Sequence, residues 1–521
     1  MTAGSVPPAS PGSAASSPAT GPGATGTPAA VPAGLERYYG QQLDWGSCAE
    51  LATSEETKFY RSASLQCADL AVPLVYDEPG GETISVKVIR KPATDQAHRI
   101  GSVITNPGGP GGSGVENAAQ LAGSKPAAEL NKRFDFVGFD PRGVAFSTPE
   151  IRCLTDEQRD AARAKTPRTR TEAEVAAADA DAQKLAEGCV ALSGTKQGID
   201  GTTLLRNIGT RDVAKDLDVL RAAVGDDKLT YIGWSYGTGI GTAYAEQFPQ
   251  NVRAMILDGA IDPEADPGAR EIGQGEGFQQ AFEDFAAWCA DQENCAIGTN
   301  PERTTEAYQE LVRPLLDEPR QLADGRVLSF RDANTGTLQA LYSQGLWETL
   351  STALQDLSNG DGALRMALAD FYDGRAADGS YTNSLDAFQA IQCIDGSRIL
   401  DPAQADVVAE KFAAAAPVFA SGDPPRAITD PCAFWPVSPT SKPHLPDTKG
   451  LPKVLVISTT KDPATPYQEG VNLAKALDAS LLTVEGTNHT AYLGIGSSCV
   501  DDIGTGYLST LELPADGAAC S

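Results

Sequence analysis

Short apolar runs, each closed by a turn and most of them leading into a helical stretch, recur along this chain, and no other feature narrows its fold as far. Residues 84–89 (ISVKVI) alternate apolar and polar, as a half-buried strand does. Residues 102–105 run into a Gly/Pro loop, 134–139 into Asp140-Pro141-Arg142-Gly143, and 229–233 into Trp234-Ser235-Tyr236-Gly237. Residues 254–257 follow a helical segment, 454–458 precede Asp462, and 481–484 precede His489. Strand-then-helix order repeated in this way predicts an α/β fold, a parallel sheet with helices on both faces.

The alternation stops between two late strands. Phe278, Phe282, Phe285 and Cys289 fall at helical spacing, as do Leu346, Leu350, Leu354 and Leu357, and residues 410–416 are helical in character. A mostly helical insertion over 263–450 is therefore expected, splitting an α/β domain into 35–262 and 451–521. A chain of 521 residues would suit three domains at ~150 residues each, or one enlarged domain with an inserted lid; the pattern favours the second. Residues 1–34 are nearly all Ala, Gly, Pro, Ser and Thr, with no apolar surface to bury, and are expected to form a mobile tail.

Charge and cysteine content exclude several functions. There are 41 basic and 69 acidic residues, a net charge of −28. Such a field repels a polyanion, so nucleic-acid binding is set aside. No run of ~18 apolar residues occurs, so no membrane span is expected. The 10 cysteines include no C-x-x-C pair and stand beside only 3 histidines, a poor basis for zinc. They fit an exported, oxidised protein with up to five disulfides. Sequential pairing is the simplest arrangement, because it keeps each closed loop short. Residues 1–34 lack the basic start and apolar run of a signal peptide, so the signal is expected to have been removed and Met1 added.

Gly233-Trp234-Ser235-Tyr236-Gly237 matches G-x-S-x-G between a credible strand and a credible helix. A sharp strand-to-helix turn exposes the serine hydroxyl and needs small residues on both flanks. Serine needs a base to become a nucleophile. Of His98, His444 and His489, only His489 follows a late strand, where the order serine, acid, histidine would put it. Asp462, after the preceding strand, is the expected acid, ahead of Asp478 in a stretch of helical pattern. The loop Asn106-Pro-Gly-Gly-Pro-Gly-Gly-Ser-Gly can bring backbone N–H groups close to an oxyanion. Gly109 is the first choice of donor and Gly108 the second, with the N–H of Tyr236 beside it. The letters G-x-G-x-x-G from Gly109 to Gly114 also evoke a dinucleotide site. Pro110 removes an N–H there, and no acidic residue ends a second strand about 20 residues on. These roles need neither a metal nor an organic cofactor.

Taken in order, NPGGPGGSG (106–114), FDFVGFDPRG (134–143), GWSYGT (233–238), ILDGAIDP (256–263), TTKDPATP (459–466) and GTNHTAY (486–492) resemble the secreted bacterial tripeptidyl aminopeptidases. That family belongs to the α/β-hydrolases related to proline iminopeptidases. The resemblance spans roughly residues 35–521 and includes Cys499-Val-Asp-Asp near the end; it departs at 144–147, where relatives carry Gly-x-Ser. It implies an α/β-hydrolase fold with the helical insertion as a cap, and a secreted, monomeric exopeptidase that removes tripeptides from free N-termini.

An extended tripeptide spans at most ~10 Å, so a cap carboxylate about that far from Ser235 would hold the substrate ammonium. Asp395 is the first candidate, since Cys393 could pin its segment, with Glu271 and Glu276 as alternatives. Trp234 and Trp435 are candidate walls of an apolar pocket, although large aromatics are more often core. Three rival readings remain on the sequence: a carboxylesterase, a single-residue iminopeptidase-like enzyme with the same triad, and a non-catalytic surface-binding protein.

Overall fold

The computed structural model describes residues 31–396 and 398–521; most of the expected tail, residues 1–30, lies outside the described residues. Twelve strands are found among the described residues. They are β1 (Gly46–Ser47), β2 (Gln66–Pro73), β3 (Thr83–Lys91), β4 (Gly101–Asn106), β5 (Phe134–Phe139), β6 (Leu229–Trp234), β7 (Val252–Asp258), β8 (Arg320–Gln321), β9 (Val327–Leu328), β10 (Leu455–Thr459), β11 (Ser480–Val484) and β12 (Ala519–Cys520). Ten form one sheet in the order β1-β2-β3-β5-β4-β6-β7-β10-β11-β12.

From β5 onward neighbouring strands are parallel, while β1, β2, β3 and β5 pair antiparallel. The sheet is thus mostly, not wholly, parallel. The reason is local: β2 and β3 are joined by a short turn closed by Leu74 N–H on Glu82 O at 2.9 Å, too short for a crossover.

Alternation along each strand divides the core. Tyr231, Met255, Leu257 and Val456 face one side, against the helices Thr210–Ala223 and Gly237–Gln247. Ile232, Ala254, Ile256 and Ile457 face the other, against Gly114–Leu121 and Ser498–Thr510. Strand β4 lies between β5 and β6. The chain leaves β4 in one direction and resumes at β6 on its other side, so the loops after β4 and β6 meet at the carboxyl edge, where α/β sheets open a crevice.

Residues 263–450 lie between β7 and β10, which are adjacent in the sheet. Helix Pro267–Ala290 buries Phe278, Phe282, Phe285 and Cys289 in a separate core, joined by Leu350, Leu354 and Leu357 of Trp347–Ser358. The sequence pattern does not set apart a second helical stretch, Asp156–Arg163 with Glu172–Leu192, which enters between β5 and β6. Its arginines bind this insertion: Arg159 pairs with Asp386, Arg163 Nε lies 3.1 Å from Asp332 and 2.8 Å from Asp373, and Arg168 Nε lies 2.6 Å from Asp423. The cap is therefore built from two insertions.

All ten cysteines pair in sequential order: Cys48–Cys67, Cys153–Cys189, Cys289–Cys295, Cys393–Cys432 and Cys499–Cys520.

Candidate active site

Ser235 directly follows β6 with φ 53°, and Tyr236 already turns into the helix Gly237–Gln247. The flanking glycines have a steric reason. A Cβ at 233 would lie 2.4 Å from Gly237 O, and one at 237 would lie 2.6 Å from Asn106 O. The loop after β4 crosses this turn so closely that a Cβ at Gly108 would meet Trp234 O at 2.5 Å and Tyr236 N at 2.9 Å. Gly108 N–H is committed to Asn106 Oδ1 at 3.0 Å. Among the described residues the N–H groups of Gly109 and Tyr236 have no acceptor within the chain. The loop is held by Asp140, whose carboxylate accepts Ser113 Oγ–H at 2.6 Å and the N–H groups of Val115 and Phe146, each at 3.0 Å.

Asp462 and His489 follow β10 and β11. His489 Nδ1 lies 2.8 Å from Asp462 Oδ1 and 3.0 Å from Oδ2. The contact puts the ring proton on Nδ1 and leaves Nε2 basic. Asp462 is buried, and its Oδ1 also accepts the N–H groups of Ala464 and Thr465 at 2.9 Å each. Burial pulls the His489 pKa down, but the charge and hydrogen bond of Asp462, with a further contribution from Asp258, more than offset it, so the imidazole titrates above its ordinary value.

Asp258, inside the ILDG segment but assigned no role from sequence, joins the two halves. Its main-chain oxygen accepts Ser235 N–H at 2.8 Å, and its Oδ2 accepts the N–H groups of Ala491 and Tyr492 at 2.8 and 2.7 Å. A Cβ on the next residue, Gly259, would lie 3.2 Å from His489 Cε1. The end of β7 therefore carries the serine turn on one side and the histidine loop on the other. Burial raises the Asp258 carboxyl to about 7, against the pull of its two backbone hydrogen bonds.

A cavity of about 1750 Å³ opens over Ser235 between the sheet edge and the cap, with Gly109, Tyr236, Tyr342 and Thr465 in its walls. Asp395 and Glu271 also line it. Asp395 Oδ1 accepts Thr210 N–H at 2.7 Å, and its Oδ2 is shared by the hydroxyls of Thr210 and Tyr236. The Tyr236 contact puts this carboxylate one side chain away from the serine turn. Burial raises Asp395 to about 6. Glu271 is exposed like its helix neighbour Glu276, and its side chain makes no hydrogen bond or ion pair among the described residues; partial desolvation, then Asp430, holds its carboxyl above the ordinary range. Glu276, on the same helix, is exposed and outside the cavity wall.

The two tryptophans are core rather than cavity wall. Trp234 is 6% exposed and donates from Nε1 to Tyr492 O at 3.0 Å. Trp435 is 5% exposed and packs among Cys432, Val437 and the underlying helices. Apolar size marks burial equally well in either setting, which is why sequence did not separate them.

A family model described as the alpha/beta hydrolase fold matches residues 101–494. The serine protease Hip1 of Mycobacterium tuberculosis is 44% identical over 496 residues, covering 93% of this chain and 92% of that protein. Carboxylesterase B of the same organism is 43% identical over 505 residues, covering 96% and 93%. The tripeptidyl aminopeptidase of Streptomyces lividans stands further off, at 29% over 486 residues, covering 92% and 86%. A serine on a strand-to-helix turn, an aspartate–histidine pair beyond the two following strands, and a family match across most of the chain lead to one conclusion: this protein belongs to the α/β-hydrolase fold family.

Proposed function

We propose that this chain is a secreted serine exopeptidase that releases tripeptides, and peptides of neighbouring length, from free N-termini through an acyl-enzyme. One observation carries the hydrolase part. Ser235 sits at φ 53° beside the free N–H groups of Gly109 and Tyr236, with the His489–Asp462 pair fastened to the same strand end through Asp258. His489 Nε2 takes the Ser235 proton as the hydroxyl attacks the scissile carbonyl, and Asp462 holds the imidazolium that forms. The N–H groups of Gly109 and Tyr236 receive the oxyanion, each worth about 3 kcal/mol. His489 then protonates the leaving amine, and water completes the cycle.

The exopeptidase part draws on the cavity beneath the cap, on its carboxylates, and on relatives named serine protease and tripeptidyl aminopeptidase. The substrate ammonium goes first to Glu271, whose oxygens are unengaged, and second to Asp395, whose oxygens are already held by Thr210 and Tyr236. Export is supported by the five disulfides, and no described helix is long and apolar enough to cross a membrane. A carboxylesterase is the second reading, on the strength of the 43% identical relative of that name.

Three anilides separate these readings: a free tripeptidyl, the same tripeptidyl acetylated, and a single aminoacyl, with Ser235→Ala as control. Fast cleavage of the first alone, lost in Ser235→Ala, is the expected result. Equal cleavage of the acetylated substrate would remove the ammonium anchor, and preference for the single aminoacyl would indicate an iminopeptidase-like enzyme. Silence on all three with turnover of plain esters would favour the carboxylesterase.

A further inference from the structure

Asp462 and His489 ride on two loops that leave β10 and β11. Backbone contacts join the loops at their roots: Thr460 N–H donates to Val484 O at 2.8 Å, and Lys461 N–H to Gly486 O at 3.0 Å. Beyond that point both loops are gripped from the cap. Asp284, on the helix Pro267–Ala290, holds both carboxylate oxygens 3.0 Å from Lys461 Nζ, and its Oδ2 accepts Thr487 Oγ1–H at 2.6 Å. Lys461 immediately precedes Asp462, and Thr487 lies shortly before His489 in the chain. The same helix lies flat on the acid loop, since a Cβ at Gly277 would sit 2.6 Å from Pro463 O, and Gln274 Nε2 donates to Ala464 O at 3.0 Å. The base loop has a second hold on the cap. His489 N–H donates to Tyr342 O at 2.9 Å, and Gln344 N–H to Asn488 Oδ1 at 3.2 Å. Ser235 is carried instead by the core strands β6 and β7.

We propose that Asp284 is a positioning residue. It is a cap carboxylate that staples the acid loop to the base loop and so keeps the Asp462–His489 pair aligned with Ser235. This rests on the triad reading above. One carboxylate shared by a cation on one loop and a hydroxyl on the other makes the two loops move as a unit. The Lys461 and Asp284 side chains are 48% and 20% exposed, and an ion pair so open to water adds little to global stability. Its loss is therefore felt in placement, where a shift of about 1 Å costs up to about a hundredfold in rate.

The test measures kcat and KM on an activated nitrophenyl ester, together with the melting temperature, for Asp284→Ala, Asp284→Asn, Lys461→Met, Thr487→Val and Ser235→Ala. In Asp284→Ala, kcat is expected to fall about tenfold or more, with KM and melting temperature near those of the parent. Asp284→Asn keeps an acceptor for Thr487 and recovers part of the rate. Lys461→Met and Thr487→Val each lose part of it, which keeps the proposal testable should Asp284→Ala fold poorly. Combined with Asp284→Ala, neither adds further loss. Parent-like kcat in Asp284→Ala and Lys461→Met, or a loss that follows melting temperature or KM, overturns the staple. Turnover surviving in Ser235→Ala would instead overturn the triad reading, so the two failures are distinguishable.

Discussion

Gly108→Ala is the sharpest probe of the serine turn. A methyl there would lie 2.5 Å from Trp234 O, 2.8 Å from Ser235 Cβ and 2.9 Å from Tyr236 N. Resting contacts of this kind are about 3.5 Å, so the loop after β4 or the turn itself must retreat by up to about 1 Å. Position 108 also has φ +97°, which costs an L-residue about 1–3 kcal/mol, and overpacking adds about 1–3 kcal/mol. The variant should lose about 2–6 kcal/mol of stability. Its methyl would also crowd the N–H assigned to the oxyanion, and loss of one such donor costs about 10²–10³ in kcat. Denaturant unfolding and steady-state kinetics on the nitrophenyl ester read the two effects separately. The expected outcome is a kcat at least about a hundredfold lower with KM little changed. A variant destabilised as calculated but with kcat within about threefold of the parent would refute the reasoning, because the crowded N–H would then have no part in the transition state.

Three further outcomes follow from the site and the cap. His489 must be neutral to take a proton, and its pKa is raised, so the acidic limb of kcat/KM should fall above the ordinary ~6.5. Asp258→Asn removes one carboxylate that raises it and should move the limb to lower pH; an unmoved limb would show that Asp258 does not act on His489. Replacing Cys393 and Cys432 by serine opens a loop with a sequence separation of 39; chain entropy puts the stability loss at about 4 kcal/mol, read by urea unfolding.

The serine turn is legible in the sequence because everything that makes it is local: a strand, two glycines with no room for Cβ, and a helix start. His489 is legible through scarcity and placement, since only three histidines exist and it alone follows a late strand; the other two lie away from the site, His98 against Asp95 and His444 against Glu246. What escapes sequence is set by contacts between distant segments, which leave no periodic mark. Nothing in the sequence of 156–192 sets its helices apart, and only their Arg–Asp pairs with the later insertion make them part of the cap. Asp258 and Asp284 each bind partners more than 170 residues away, so nothing near them in the chain signals their contacts. Asp395 can be singled out by its neighbour Cys393, but not the prior claim of Thr210 and Tyr236 on its oxygens.

The disulfides also bear on how this chain reaches its folded state. No bridge encloses another, and the widest joins residues 39 apart. A chain emerging amino-terminus first could complete each pair before the next pair's first cysteine appeared, leaving at any moment a single thiol awaiting its partner. Mispairing then has little opportunity, and oxidation keeps pace with emergence rather than waiting for the sheet to close. Only Cys153–Cys189 joins the segment after β5 to a cap helix, Glu172–Leu192, so a reductant would loosen most of the pieces individually and release the cap from the sheet side at that one point.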